Sequence, residues 1–218
     1  MRELPEGSLP IFVSKKGGKE MLELWQLVLI QAGWMTFQCV GYLMTQRNPR
    51  AIYDMERSFD KRIPLVTQSV YIYVLWFPLI AVYPVGLYYF SAGSYIVYMA
   101  AVALNVVTSF VIYRVYPTTF VRPELECRNL SSKILSILYI TNYKGLNCMP
   151  SMHCSISFII IFSVLTCTEV TDWIQAAVCL LSLGIAVSTV LTKQHVIVDV
   201  FSALGLAAVS FAFVNLLV

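Results

Sequence analysis

Charge is scarce in this chain. Only 12% of its 218 residues are Asp, Glu, Lys or Arg, against 58% hydrophobic residues, and the mean hydropathy is +0.73. One water-soluble core of this length does not need so much apolar surface, so the composition excludes an ordinary soluble domain and reads as an integral membrane protein. The net charge of +3 is small, and no basic and aromatic stretch forms a nucleic-acid platform. The six cysteines contain no CxxC pair, which argues against a structural zinc site. Cys39, Cys167 and Cys179 fall in apolar stretches as small packing residues. Cys127 and Cys148 share one connector and could pair if it faced an oxidising compartment. No internal repeat or low-complexity tract occurs. Histidine is scarcest of all, with two copies, and both lie where long apolar segments begin.

Six apolar windows approach the ~20 residues a helix needs to cross a bilayer. They cover about residues 22–44, 65–89, 94–113, 153–168, 173–192 and 196–218. The reading is an all-α integral membrane domain over 22–218, preceded by a tail over 1–21. The first window starts late, is long and lacks a small-residue cleavage pattern, so it is expected to persist as a helix rather than act as a signal peptide. Pro78 and Pro84 predict a kink in the second. The fourth is short and is expected to begin at Ser151. Residues 45–64 form a polar connector. The long connector 114–152 carries Arg114, Arg122-Pro123, Arg128, Lys133 and Lys144. Within it Ser131 is expected to cap a run over 134–140, too brief to span and best placed at the interface.

Six crossings put both termini on one membrane face and the connectors after the first, third and fifth on the other. Four Lys and Arg residues (Arg2, Lys15, Lys16, Lys19) fall on the terminal face and eleven on the opposite one, which by the positive-inside rule is cytoplasmic. An anion site recruits cations on whichever face it occupies. Without Arg114, Arg122, Lys144 and Lys193 the second face still keeps seven.

That second face carries the chemistry. His195 and Asp199 are four residues apart, which predicts one helical face with the carboxylate holding one ring nitrogen and leaving the other as a nucleophile. Ionisable residues within membrane segments are costly and usually functional; the alternative is a polar pair that only joins two helices. Pro150-Ser151-Met152-His153 reads as a helix start with Ser151 as N-cap. The helix N-terminus suits an anion such as phosphate, and His153 in its first turn could deliver a proton to a leaving oxygen. Arg122 supplies a forked cation suited to phosphate oxygens, with Arg114 eight residues earlier.

Taken in order, Arg122-Pro123, then Pro150-Ser151-Met152-His153, then His195-x3-Asp199, the set resembles the type 2 phosphatidic acid phosphatase (PAP2) superfamily. That family carries Lys-x6-Arg-Pro, Pro-Ser-Gly-His and Ser-Arg-x5-His-x3-Asp on a six-helix core. Asp60-Lys61-Arg62-Ile63-Pro64 also looks like the Asp-x-x-Ile-Pro stretch of its inositol phosphotransferase and aureobasidin-target-like branch. Three positions depart from the pattern. Val115 stands where the first lysine is expected, Met152 replaces the glycine, and Thr189 follows Ser188 in place of arginine.

The resemblance implies a PAP2/chloroperoxidase-like bundle and a metal-independent, cofactor-free reaction. It makes His195 the nucleophile that becomes a phosphohistidine, Asp199 its orienter and His153 the general acid. Ser151 and Arg122 would bind phosphate oxygens, with Lys193 standing in for the missing arginine and Arg114 and Lys144 as further cations. It also implies an external or lumenal site, the reverse of the charge count. The substrate would be a membrane lipid phosphomonoester or pyrophosphate, with transfer of a phospho-headgroup to an alcohol as the alternative. Of other classes, an intramembrane serine protease wants Gly-x-Ser-Gly, which is absent, and a membrane acyltransferase favours His-x4-Asp. A transporter or structural protein would leave the two histidines without a shared task.

Overall fold

A computed structural model describes residues 14–16, 19–47, 49, 51–141 and 145–218. The stretch expected as a tail ends in an antiparallel hairpin, β1 (Ser14–Lys16) paired with β2 (Lys19–Met21), Ser14 opposite Met21. The sequence between the strands is Gly17-Gly18, a pair that favours a two-residue hairpin loop. Residues 1–13 lie outside the described set.

Helices follow. α1 (Leu24–Thr45), the run from Thr67 to Phe90, α4 (Ala92–Val115), α7 (Asp172–Leu191) and α8 (Ile197–Leu217) are each long and apolar enough to cross a membrane. Their outward residues are large and apolar, Leu29, Val82, Leu180 and Phe201 among them, while Asn105, Ser109, Ser182 and Ser210 lie buried. Such a distribution suits a bundle whose solvent is lipid.

The second window is broken rather than merely bent. A 3-10 turn over Thr67–Ser69 leads into α2 (Val70–Val74), and α3 (Trp76–Phe90) starts after Leu75. Pro78 lacks the N–H that would reach the Val74 carbonyl, so the helix resets there. Pro84 sits inside α3 and orphans the Ile80 carbonyl in the same way. Gln31 of α1 supplies the missing donor, Nε2 to O at 2.7 Å.

Where six spans were expected, five described helices have the length. The fourth window forms α6 (Met152–Thr166), 15 residues, or about 22 Å at 1.5 Å per residue, against a hydrocarbon core of about 30 Å. It is the central helix, packed on α3, α4, α7 and α8 and buried along most of its length. A helix enclosed by others has no lipid boundary to match.

The long connector holds α5 (Leu130–Thr141), longer than the expected 134–140 run. Its cap is Asn129 and not Ser131. Asn129 Oδ1 accepts from Ser132 N (2.9 Å) while Ser132 Oγ accepts from Asn129 N (3.1 Å), a reciprocal box. Ser131 is buried and meets Thr67, Oγ to Oγ1 at 2.9 Å. A two-residue parallel pair, β3 (Tyr53–Asp54) on β4 (Thr118–Thr119), ties the two long connectors together. Met55, Phe120, Cys148 and Val196 pack beneath it as a small apolar plug. Cys127 and Cys148 are free thiols. Burial holds the Cys148 thiol well above its usual range, in the protonated form that donates to the Gly145 carbonyl at 3.2 Å.

Candidate active site

Both histidines line one cavity of about 550 Å³ between α1, the α2–α3 break, α5 and the start of α6. Six of its lining residues, Met35, Thr36, Gln38, Cys39, Tyr42 and Leu43, come from α1. The imidazole centroids of His153 and His195 lie 6.0 Å apart.

His195 does not sit on a helical face with Asp199, as the spacing suggested. It lies in the turn two residues before α8, and Asp199 is the third residue of that helix, reaching back as a cap. Asp199 Oδ2 accepts from His195 Nδ1 at 3.2 Å and from Val196 N at 3.0 Å. Asp199 is fully buried and its other oxygen, Oδ1, has no partner among the described residues. With Nδ1–H donating to the carboxylate, the remaining nitrogen of His195 is Nε2, with its lone pair. The carboxylate lies in the first turn of α8, beside the positive end of that helix's dipole.

The turn that presents His195 is built by the end of α7. Gln194 N donates to Thr189 O (2.9 Å) and Lys193 N to Val190 O (3.1 Å), the two bonds of a Schellman motif. Lys193 occupies the left-handed position with φ of 52°, which costs a non-glycine residue about 1 kcal/mol. Its ammonium donates to the Asp60 carbonyl at 2.8 Å. The third cation proposed from sequence is thus tied to the first connector. Thr189, at the position of the missing arginine, is fully buried against Cys154, Oγ1 to Sγ at 3.4 Å.

Asp60, unassigned in the sequence reading beyond its Ile-Pro stretch, braces the same turn. It is 3% exposed. Oδ1 accepts from Ile197 N (3.0 Å) at the first residue of α8, and Oδ2 accepts from Arg57 N (2.9 Å). Val66 N donates to Leu191 O at 2.9 Å alongside.

Ser151 is the N-cap of α6, as the sequence indicated, its Oγ accepting from Cys154 N at 3.3 Å. It lies behind the cavity wall, and its own N–H donates to the Asp199 carbonyl at 3.3 Å, joining the starts of α6 and α8. Tyr113 from α4 fixes the same corner by donating to the Pro150 carbonyl. His153 is the second residue of α6. Its Nε2 is 3.0 Å from Tyr73 Oη, and the rings of Tyr73, Trp76 and Phe77 surround it at centroid distances of 4.8, 4.2 and 6.2 Å.

Arg122 is half-buried and lies over the Tyr139 ring, Cζ to centroid 5.1 Å. Burial pushes the Tyr139 phenol up to about 12, with the Arg122 charge opposing the rise. The protonated hydroxyl donates to Thr192 O at 2.7 Å, so Arg122 is linked to the His195 turn through Tyr139. Arg122 and Ser151 are not among the cavity-lining residues. Arg114 is exposed at the end of α4, with Nη1 donating to Arg47 O at 2.9 Å beyond the end of α1. Lys144 lies outside the described residues.

The arrangement provides an imidazole backed by a buried carboxylate, a second imidazole 6.0 Å from it between ring centroids, and an apolar cavity that both line. Among the described residues no three His, Cys, Asp or Glu side chains cluster as metal ligands. No family model, curated protein or solved structure matches the chain.

Proposed function

We propose that the protein is a membrane-embedded phosphoryl-transfer enzyme of PAP2 type that hydrolyses a lipid phosphomonoester or pyrophosphate. The observation that carries this reading is the pairing of His195, held through Nδ1 by Asp199, with His153 at 6.0 Å across one cavity. In this proposal α6 counts as the sixth, shortened crossing of the bundle. His195 Nε2 attacks phosphorus, the bond from phosphorus to the lipid oxygen breaks, and His153 gives that oxygen a proton. Water then attacks the phosphohistidine while His153 takes a proton from it, which releases phosphate and restores both imidazoles. Because charge spreads over the phosphoryl oxygens during transfer, cations near the site lower the barrier; Arg122 is the nearest in linkage, with Lys193, Arg114 and Lys144 as further candidates. The cavity's mainly apolar surface, to which α1 gives Met35, Cys39 and Leu43, suits a lipid chain.

A second reading has support from Asp60. Its bond to Ile197 N places the Asp-x-x-Ile-Pro stretch, which resembles the phosphotransferase branch, directly against the His195 turn. The same phosphohistidine would then pass its group to an alcohol. Phosphate release from a panel of lipid phosphates in detergent micelles, with and without a polyol acceptor, tests both. Free phosphate that is insensitive to the acceptor supports hydrolysis, and a phosphorylated alcohol supports transfer. No turnover and no His195 labelling on any member overturns the proposal.

A further inference from the structure

Residues 73, 76 and 77 stand at i, i+3 and i+4, the spacing of one helical face, and all three are aromatic. A helix running unbroken through Leu75 would hold them in one stripe against the bundle core. Instead the Pro78 break divides them between the end of α2 and the start of α3, and all three rings close around His153. Tyr73 is 5% exposed and Trp76 is 7% exposed, whereas Phe77 is 44% exposed, so two of the three rings are buried against the bundle and the third covers the outer side. α2 is itself anchored at its base, where Thr67 Oγ1 meets Ser131 Oγ at 2.9 Å and Val66 N meets Leu191 O at 2.9 Å.

Resting on the phosphohistidine reading above, we propose that Tyr73 is the positioning residue of the reaction, its hydroxyl holding the His153 ring through Nε2 in the orientation from which the proton is delivered. The imidazole turns about χ1 and χ2. The hydroxyl at 3.0 Å removes that freedom. The Trp76 ring, tilted 42° to the imidazole at a centroid distance of 4.2 Å, packs against it. Tyr73 also lines the cavity, so its oxygen stands where the leaving oxygen of a bound substrate approaches Nε2. As substrate enters, the Nε2 hydrogen bond passes from the tyrosine oxygen to the lipid oxygen, and the proton follows the departing electron pair.

A residue that acts through the general acid affects the phosphorylation step only when the leaving group needs a proton, so the release of alcohol or nitrophenolate is read in a single turnover, before His153 serves as base in the hydrolysis that both probes share. The test therefore compares Tyr73→Phe with wild type on two probes in detergent micelles, a long-chain alkyl phosphate and 4-nitrophenyl phosphate. The nitrophenolate departs without protonation, whereas the alkoxide does not. General acid catalysis contributes about 10²- to 10⁴-fold, and losing the tether is expected to remove about 10-fold on the alkyl phosphate and less than about 3-fold on the aryl ester. His153→Asn should show the same split more strongly, and adding Tyr73→Phe to it should cost nothing further, since the two act as one unit. Equal losses on both probes, or full activity on both, overturn the role of Tyr73. Acid-labile phosphate on His195, trapped from the aryl ester and absent in His195→Ala, is read in parallel. If wild type gives no such label, the phosphohistidine reading falls and takes this proposal with it; if the label forms but the split is missing, only Tyr73's role is lost.

Discussion

Removing the Asp60 carboxylate tests how the His195 turn is held. The side chain is nearly buried and accepts two backbone N–H bonds, from Ile197 at 3.0 Å and Arg57 at 2.9 Å. Hydrogen bonds to a charged group are worth about 1.5–3 kcal/mol each, and a carboxylate beside the first turn of α8 adds about 0.3–1 kcal/mol from the helix dipole. Relief from burying the charge offsets part of this. Asp60→Ala is therefore expected to destabilise the fold by about 2–4 kcal/mol. Asp60→Asn keeps an acceptor for Ile197 but loses the charge, and should cost about half as much. Unfolding in mixed micelles with rising SDS reports the stability. Because Ile197 is two residues from His195, turnover of the folded fraction should also fall, through kcat more than KM; displacement of about 1 Å costs about 10²-fold in well-positioned chemistry. Asp60→Ala within about 0.5 kcal/mol of wild type, the range of an ordinary surface substitution, refutes the brace.

Three further outcomes follow from the geometry. His195→Ala should abolish turnover, whereas Asp199→Asn, which removes orientation and charge but leaves the nucleophile, should retain a residue of activity about 10⁴-fold down; comparable loss in both by single-turnover assay would refute this division of roles. Turnover should be unchanged by EDTA, since side-chain cations are proposed to hold the phosphate, and loss in EDTA with rescue by Mg²⁺ would overturn that mechanism. Gln31→Leu leaves the Ile80 carbonyl without its donor and should cost about 1–3 kcal/mol in the same SDS titration, with no effect expected if the carbonyl finds another partner.

What the sequence shows is what lies close along the chain. The apolar windows mark the long helices within a few residues, Ser151 caps α6, and His195 meets Asp199. Spacing could not tell a helical face from a cap, because four residues apart is also the reach of a third helical residue back across its own N-terminus. Asp60 and Ile197 are separated by 137 positions, and Lys193 and Asp60 by 133, so no local pattern announces either bond. The aromatic group at 73, 76 and 77 is visible as a stripe, but its target, 80 residues from Tyr73, is not. The short fourth window was legible as short; its place at the centre of the bundle depends on the packing of four other helices.

α1 supplies six residues to the cavity and none of the groups proposed to carry out the chemistry. The histidines, their carboxylate and the aromatic enclosure all belong to elements from α2 onward. Under the proposed function, recognition and reactivity fall to separable parts of one chain. Substitutions along the inner side of α1 can reshape the space offered to a ligand while the reactive groups keep their partners. For engineering, that helix is the place to vary a library, keeping Gln31, which caps the Pro84 opening, and Gly41, where an added Cβ would come within 2.3 Å of the Phe110 ring.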